Sequence, residues 1–454
     1  MKNILSISRR AATTVGLALA MTAATAAAQQ DTRQITFDEA VSIARQQSTA
    51  LDRARNQVSL AELSVSDAKM QFVPSLQLST GGSQDFGRTF STDEGQILDG
   101  NNQSLSARIS SSVTLFDGFG NVANLREAQY QMSAAELDGQ RAEQTVLFSV
   151  ISGYISLIEA REQVSVAEEN LAFQEAREGE IQVLVDGGTR AIADLYQQQA
   201  QVASARVTLV DARRAAALSE VDLVQVLRLD PADSYDFVAP PIPDVIEGGD
   251  DPDVENLLTR AFDNRLDLAG SEADRDAAQS AVRAAKASYW PSVSLAASYG
   301  SSYTSATPLS VASQFDSRQS GTLSLAVSIP LFDGLQSRRQ TERARIQEYD
   351  AQLAVEDVRQ EVALEVRRAA LDREAAVERL SAAQAQVEAA GAALDAVRVR
   401  YDSGAATIFE VSQSQADYVS ASSSLVSARY TLVFQDELLD YYVGELGPDA
   451  EIGQ

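Results

Sequence analysis

FVPSLQLS at residues 72–79 and YWPSVSLA at residues 289–296 are two versions of one stretch, and together they decide the fold. In each version a proline separates two kinds of periodicity. The residues before it have helical spacing, whereas apolar and polar residues alternate after it, as they do in a half-buried strand. Because proline lacks an N–H and clashes with the preceding turn, Pro74 and Pro291 are predicted helix-to-strand junctions.

A second motif, LFDG, occurs at residues 115–118 and again at residues 331–334. In both motifs the second copy follows the first by 216 or 217 residues. The same shift relates further identical pairs, which are Leu51 and Leu268, Asp186 and Asp402, Gly188 and Gly404, and Ile192 and Ile408. One shift that serves positions over most of each half indicates a duplicated unit.

Outward from the prolines, each half has the same order of predicted elements. A helical segment ends at the proline, two strands follow, and a very long helix leads through a glycine turn to a last helix. The predicted helices cover 36–72, 119–178 and 190–229 in the first half, and 253–289, 335–400 and 405–443 in the second. The predicted strands cover about 75–84 and 103–115, then about 292–301 and 320–330, and polar loops at 85–102 and 300–320 connect them. Such lengths suit tilted membrane-spanning strands, which need about 9–11 residues.

The chain divides into five predicted segments. Its start is typical of an export signal, because Lys2, Arg9 and Arg10 precede a short apolar run that ends in small residues. The middle of the chain is rich in proline and glycine, so no long helix is expected there. The segments are a signal peptide at 1–28, a first structural repeat at 29–230, an inter-repeat linker at 231–253, a second structural repeat at 254–446 and a disordered tail at 447–454.

The composition excludes several classes of function. The formal net charge is −27, so nucleic acid is not expected as a partner. The chain has no cysteine and no histidine, which removes thiolate metal sites, cysteine-linked acyl anchors and the common nucleophilic triads. We therefore predict that the protein is not an enzyme and has no catalytic residue, metal site or cofactor.

The four predicted strands lead to the expectation of an oligomer. An open sheet edge is not tolerated in lipid, and a closed bacterial barrel generally needs at least eight strands. Four strands must therefore share a barrel with strands from other copies of the chain. Two copies give eight strands and three give twelve, and the spacing of the motifs does not choose between them.

The tandem repeat, the two proline junctions, LFDG at 115–118 and 331–334, and YDSG at 401–404 together resemble the TolC family of outer-membrane efflux proteins. The resemblance covers nearly the whole chain after the signal peptide. It implies an α+β membrane protein in which long antiparallel coiled-coil helices form a periplasmic α-barrel. It also implies that each protomer contributes four β-strands to a shared twelve-stranded outer-membrane β-barrel.

The resemblance carries expectations about function and partners as well. It implies a homotrimeric channel-tunnel in the outer membrane that is the exit duct of a tripartite efflux or type I secretion system. The expected partners are a periplasmic adaptor (membrane fusion) protein, an inner-membrane transporter and outer-membrane lipid. The linker is expected to wrap the outside of the tunnel.

Candidate functional residues lie at the two glycine turns, which contain Gly188 and Gly404. In the family this turn forms a periplasmic entrance that acidic side chains and polar links hold narrow. A carboxylate repeated around an axis forms a ring that favours cations. The predicted entrance residues are Asp194 and Glu410, which match acidic positions of the family, with Gln413, Arg190 and Tyr401. Gln413 departs from the family pattern. In the second half, Ala406 stands where the family motif has an arginine, and Arg190 occupies the matching place in the first half.

Asp117, Gly118, Asp333 and Gly334 are expected to have a structural role. A short acidic side chain can cap a helix N-terminus, and glycine permits a sharp turn from strand to helix.

Three alternative interpretations remain open from the sequence. The chain could be a soluble periplasmic coiled-coil adaptor or spacer, although that reading does not explain the duplicated strand pairs. The polar residues after the glycine turns could be ordinary solvated positions on a helix. A hydrolase that uses only carboxylates is the third alternative, and the lack of a compact fold pattern weighs against it.

Overall fold

The computed structural model describes residues 33–91, 95–99, 101–238 and 253–447. The predicted signal peptide, the greater part of the predicted linker and the predicted tail after Gly447 lie outside the described residues. Within the described ranges, the chain is two copies of one helix–strand–helix unit joined side by side.

Eight of the helices form four equivalent pairs. In the first repeat they are α1 (Phe37–Gln47), α2 (Thr49–Met70), α3 (Gly120–Asp186) and α4 (Ile192–Leu227). In the second they are α5 (Val254–Asn264), α6 (Leu266–Ala287), α8 (Gln336–Asp402) and α9 (Ile408–Val443), with the short α7 (Val311–Ser317) between α6 and α8. Both α3 and α8 have 67 residues, and both α4 and α9 have 36, so the duplication predicted from the motifs holds for the folded chain.

The strands of the described residues belong to three sheets. They are β1 (Arg33–Ile35), β2 (Ser75–Asp85), β3 (Arg88–Ser91), β4 (Gln96–Asp99), β5 (Asn102–Phe116), β6 (Tyr235–Phe237), β7 (Ser292–Thr304) and β8 (Ser320–Ser328). The main sheet is antiparallel and has the order β2-β5-β7-β8, so that β5 and β7 join the repeats and β2 and β8 form the edges. Ser75 pairs with Ser112, and the equivalent Ser292 pairs with Ser328, so both hairpins have the same register.

The first predicted helix of each repeat, 36–72 and 253–289, is in fact two helices with a break between them. The break falls at Ser48 and at Arg265, both of which have extended backbone angles. The Ser48 hydroxyl accepts a hydrogen bond from the Leu51 N–H at 3.4 Å and so starts α2. At the other break, the Arg265 side chain is buried and donates to Asp267 and to Glu365 of α8. Helical periodicity continues across both breaks, which is why the sequence pattern does not reveal them.

The largest apolar core surrounds Tyr154 of α3, which is fully buried. The Tyr154 hydroxyl donates to the Ile35 carbonyl at 3.2 Å, and its ring meets Phe37 and Phe237 edge-on. Strands β1 and β6 pair in parallel beside it. These strands were not predicted, and β6 lies in the segment assigned to the linker, whose first residues are therefore fixed against the helices.

The predicted polar loops contain additional structure. Strands β3 and β4 form a second hairpin beyond β2, and α7 packs on β7. The buried Gln314 of α7 organises its loop, because its amide donates to the carbonyls of Thr304 and Leu309 at 3.0 and 2.8 Å. None of the helices in the described ranges is long and apolar enough to cross a membrane.

Candidate functional site

The candidate entrance residues lie at one end of the long helices, and the proline and LFDG motifs lie at the other. A helix of 67 residues, such as α3 or α8, is about 100 Å long at 1.5 Å per residue. The two groups of predicted residues are therefore separate sites.

Two glycine turns form the end of the molecule farthest from the main sheet. Gly188 and Gly404 have φ angles of 72° and 79°, which favour glycine. After the first, the Thr189 N–H donates to the Leu184 carbonyl at 2.9 Å, and after the second, the Ala405 N–H donates to the Arg400 carbonyl at 2.7 Å. Both long helices thus end in the same kind of closed turn, which brings α4 back along α3 and α9 back along α8.

Tyr401, in the last turn of α8, is the centre of contacts between the two turns. Its side chain is buried, and the guanidinium carbons of Arg190 and Arg177 lie 4.2 and 4.5 Å from the ring centroid. Arg190 also donates to the Tyr401 carbonyl at 2.8 Å. Cation–π and charge-assisted hydrogen bonds therefore connect the first turn to the second, and we call Arg177, Arg190 and Tyr401 the tip cluster.

Acidic side chains balance the arginines of the tip cluster. Arg177 pairs with Glu180 at 2.6 Å and with Asp402 at 3.5 Å. Burial raises the pKa of Tyr401, and Asp194 and Asp402 raise it further, while the two arginines oppose this rise. Asp194 is half-buried beside the cluster. The Tyr401 hydroxyl is buried and has no hydrogen-bond partner in the part of the chain that the structure describes.

Glu410 and Gln413 lie outside the tip cluster. Glu410 pairs with Arg400 at 3.3 Å across the second turn, and its N–H is capped by the Thr407 hydroxyl at 3.3 Å. Gln413 is exposed and donates to Asp417 at 2.9 Å. The structure thus brings together three of the five predicted entrance residues, Arg190, Asp194 and Tyr401.

Below the tip cluster, the helix ends pack through a small apolar core and then a buried polar layer. The core consists of Ile181, Leu195, Ala406, Ile408 and Val411 around Tyr401. Ala406, which stands where the family motif has arginine, is buried in this core.

In the polar layer, the Gln198 amide donates to Gln174, and the Gln415 amide donates to Asn170. Because these amides are buried and paired, they fix the register of α4 and α9 against α3.

Sequence reasoning missed Arg177 and Arg400. Arg177 lies three helical turns before Gly188 and reaches Tyr401 only because α3 and α8 end side by side. Arg400 adjoins Tyr401 in the sequence, and a basic residue in the last helical turn is a recognisable signal. In the described ranges, no group of three or more acidic, histidine or cysteine residues could hold a metal ion.

At the opposite end, the two strand-to-helix junctions have the same backbone. Asp117 accepts from the Asn121 N–H at 2.6 Å, and Asp333 accepts from the Ser337 N–H at 2.7 Å. Gly118 and Gly334 both have positive φ angles, 71° and 66°. These hydrogen bonds satisfy main-chain donors at the starts of α3 and α8.

The two proline junctions are also alike. Helix α2 ends at Met70 and β2 begins directly after Pro74, while α6 ends at Ala287 and β7 begins directly after Pro291.

A model of the family described as outer membrane efflux protein matches the chain twice, over residues 40–227 and 257–445. The protein CyaE of Bordetella pertussis is 28% identical over 410 residues, which are 90% of this chain and 84% of CyaE. The outer membrane protein TolC of Escherichia coli is 23% identical over 362 residues, 78% of this chain and 70% of TolC.

Solved structures show the same fold. The outer membrane protein VceC of Vibrio cholerae superposes with a TM-score of 0.78 at 19% identity, covering 90% of this chain and 96% of VceC. The MtrE outer membrane channel of Neisseria gonorrhoeae, solved in its open state, gives 0.73 at 18% identity, covering 91% of this chain and 90% of MtrE. The predicted fold class is confirmed.

Proposed function

Because the chain belongs to the outer membrane efflux protein family, we propose that it works as a homotrimeric channel-tunnel, the exit duct of a tripartite export system. Three copies of its four-stranded sheet supply twelve strands to one barrel, and their long helices continue it as a tunnel. Catalysis is no part of this proposal, since the chain lacks histidine and cysteine.

The observation that carries the proposal is the difference between equivalent strands of the main sheet. Inside the chain, β5 of the first repeat pairs with β7 of the second. The equivalent strands at the outside, β8 and β2, each have one unpaired edge in the described chain. An unpaired edge in lipid leaves main-chain donors and acceptors unsatisfied, so strands from other copies must cover both.

Exposed apolar side chains on the helices support the same arrangement. On α2, Leu60 and Leu63 are exposed, and on α8, Ile346 and Tyr349 are exposed, each by more than half of its surface. These stripes lie on the helices that flank the open sheet edges. Packing α2 of one copy against α8 of the next removes both from water.

The glycine turns form the periplasmic entrance of the proposed tunnel. Three copies of Asp194 and Glu410 around one axis give two rings of carboxylates, which favour cations. The tip cluster holds the two turns of each protomer together, and we propose that it maintains a narrow entrance. MtrE, solved in an open state, is an example of a structural neighbour whose channel opens.

The proposed partners are a periplasmic adaptor that meets the tunnel, an inner-membrane transporter and outer-membrane lipid. One similar protein with a named cargo is OpmQ of Pseudomonas aeruginosa, a pyoverdine export outer membrane protein. We propose that the transporter with which this chain assembles selects the cargo.

Single-channel recording in planar bilayers tests the proposed function. We expect the purified protein to form cation-preferring channels, and the double variant Asp194→Ala/Glu410→Ala to lose part of that preference or to open more often. Gln413→Ala is the matched control, since Gln413 is exposed, donates to Asp417 and lies outside the tip cluster. A protein that gives no conductance and is released from the periplasm without detergent would instead support the soluble adaptor reading.

A further inference from the structure

The packing between the two repeats is a template for the contact between one copy of the chain and the next. Inside the chain, α3 of the first repeat packs along α6 of the second. The equivalent helices are α8, at a shift of 216 residues, and α2, at a shift of 217. Since α8 and α2 do not pack together within the described chain, the same contact is available between two copies. We call the α3–α6 contact the internal seam and the α8–α2 contact the subunit seam.

Gly270 marks the closest approach at the internal seam. A Cβ atom at this position would lie 3.1 Å from the Asp138 carboxylate and 3.8 Å from the Leu137 Cβ. The Ala134 carbonyl is also within 3.8 Å of it. Position 270 on α6 therefore faces a surface of α3 made of residues 134, 137 and 138.

At the subunit seam, the repeat shift assigns different residues to these positions. Gly270 corresponds to Arg53 on α2, and Ala134 and Leu137 correspond to Asp350 and Leu353 on α8. One turn farther along α8, Asp357 corresponds to Arg141. Charges are thus rearranged between the two seams while the helices keep the same lengths.

Arg53, Asp350 and Asp357 are all exposed, and their side chains have no hydrogen bond or ion pair within the described part of the protomer. The neighbouring Arg55 of α2 is already engaged, since it pairs with Asp52 and donates to the Arg45 carbonyl. A long basic side chain opposite two carboxylates that are seven residues, or two helical turns, apart is a complementary arrangement.

We propose that Arg53 of one copy lies between Asp350 and Asp357 of the next copy, so that an ion-pair cluster sets the register of the subunit seam. The inference rests on the proposed side-by-side assembly and adds the residues at which the copies meet. Applied to the main sheet, the same shift predicts how strands of two copies pair. Ile109 of β5 pairs with Tyr299 of β7 within the chain, so Leu325 of β8 is expected to pair with Gly82 in β2 of the next copy.

Disulfide crosslinking tests the proposed register directly, because the chain has no cysteine of its own. The Cβ separation at the equivalent internal positions is 3.8 Å, within the range of about 3.5–4.5 Å that a disulfide requires. We expect Arg53→Cys/Leu353→Cys to give a covalent trimer on a non-reducing gel after mild oxidation. The control Arg53→Cys/Ile346→Cys moves one cysteine about 10 Å along the same face of α8 and is expected to stay uncrosslinked.

Charge exchange tests the ion pairs separately from the register. Arg53→Glu and Asp350→Arg/Asp357→Arg are each expected to lower trimer yield at low salt, by about fivefold or less per seam. The combined triple variant is expected to restore it. A protein that is trimeric and conducting but gives no specific crosslink would overturn the proposed register and leave the proposed function intact. A protein with no trimer and no conductance would instead overturn the proposed function.

Discussion

The two repeats have the same elements in the same register, yet their surroundings differ. At the first strand-to-helix junction, Gly118 is covered by Trp290 and the Ala287 carbonyl from the second repeat. At the second junction, no atom of the described residues lies within 4 Å of a Cβ built on the equivalent Gly334. The first repeat thus finds its neighbour within the chain, whereas in the proposed trimer another copy supplies the neighbour of the second repeat.

Alanine at the two junctions is expected to give the largest difference between the repeats. In Gly118→Ala, the new Cβ lies 2.6 Å from the Trp290 Cβ, so we expect about 1–3 kcal/mol of overpacking in addition to roughly 1 kcal/mol of backbone strain. In Gly334→Ala, only the strain applies to the isolated protomer. Denaturant unfolding of the protomer, kept in detergent below the concentration at which copies associate, measures both changes.

The effects of alanine at the two junctions can also be compared in the assembled protein. Trp290 and Ala287 correspond to Val73 and Met70, so in the proposed trimer Val73 and Met70 of another copy lie against Gly334. We expect Gly334→Ala to weaken assembly more than it weakens the protomer. Equal losses of protomer stability in the two variants would show that the second junction is covered without a second copy.

Substitutions at the glycine turns are expected to have effects of intermediate size. Only the first turn supplies an arginine, Arg190, that stacks on the Tyr401 ring. Arg190→Ala removes the stacking on Tyr401 and a charge-assisted hydrogen bond, together about 1–3 kcal/mol of local stability. We expect a higher open probability in bilayer recordings. Moving the arginine to the other turn, in Arg190→Ala/Ala406→Arg, should not restore closure, since Ala406 is buried in an apolar core.

Tyr401→Phe is the matched control for the tip cluster. The Tyr401 hydroxyl has no partner among the described residues, so its removal leaves the stacking intact. We expect unchanged open probability and an unchanged or slightly higher unfolding midpoint. A Tyr401→Phe channel that opens as often as Arg190→Ala would mean that the hydroxyl, rather than the ring, holds the turns together.

The smallest effects are expected from the carboxylates of the internal seam. Burial raises the pKa of Asp138 and of Asp274, and Asp267 and Asp138, respectively, raise them further. The folded protein therefore binds protons that the unfolded chain has released, and stability falls as pH rises above the ordinary value of 3.8. We expect Asp138→Asn to raise the thermal midpoint at pH 7.

Unfolding measurements at lower pH test the predicted direction of this pH dependence. As pH falls toward 3.8, both carboxylates become protonated in the folded protein, and the advantage of Asp138→Asn should disappear. At the subunit seam the equivalent residues are Ala354 and Gln57, which do not titrate. Gln57→Ala should therefore have no such pH dependence, and an equal dependence in both variants would assign the effect to another group.

Much of the fold could be predicted because local signals agree with it. Pro74 and Pro291 stop helices wherever they occur, and strand alternation begins directly after them. The breaks at Ser48 and Arg265 were not predicted, since neither residue interrupts helical periodicity. Strands β1 and β6 have three residues each and depend on a partner about 200 residues away.

The candidate site was predictable only in part, because some of its contacts join residues that are far apart in the sequence. Asp194 and Glu410 follow glycine turns, which can be recognised from the sequence alone. The contact between Arg177 and Tyr401 depends on two helices that end at the same level after 67 residues each. No local pattern in the sequence indicates such a coincidence of helix ends.

The mass of the detergent-extracted protein tests most directly whether other copies complete the second repeat. Native mass spectrometry after membrane extraction should give a complex of three protomers that is lost to precipitation when detergent is removed. Both edges of the β2-β5-β7-β8 sheet are then paired between copies. A monomer or dimer that stays dispersed without detergent would contradict the account, because both sheet edges would then be stable while unpaired.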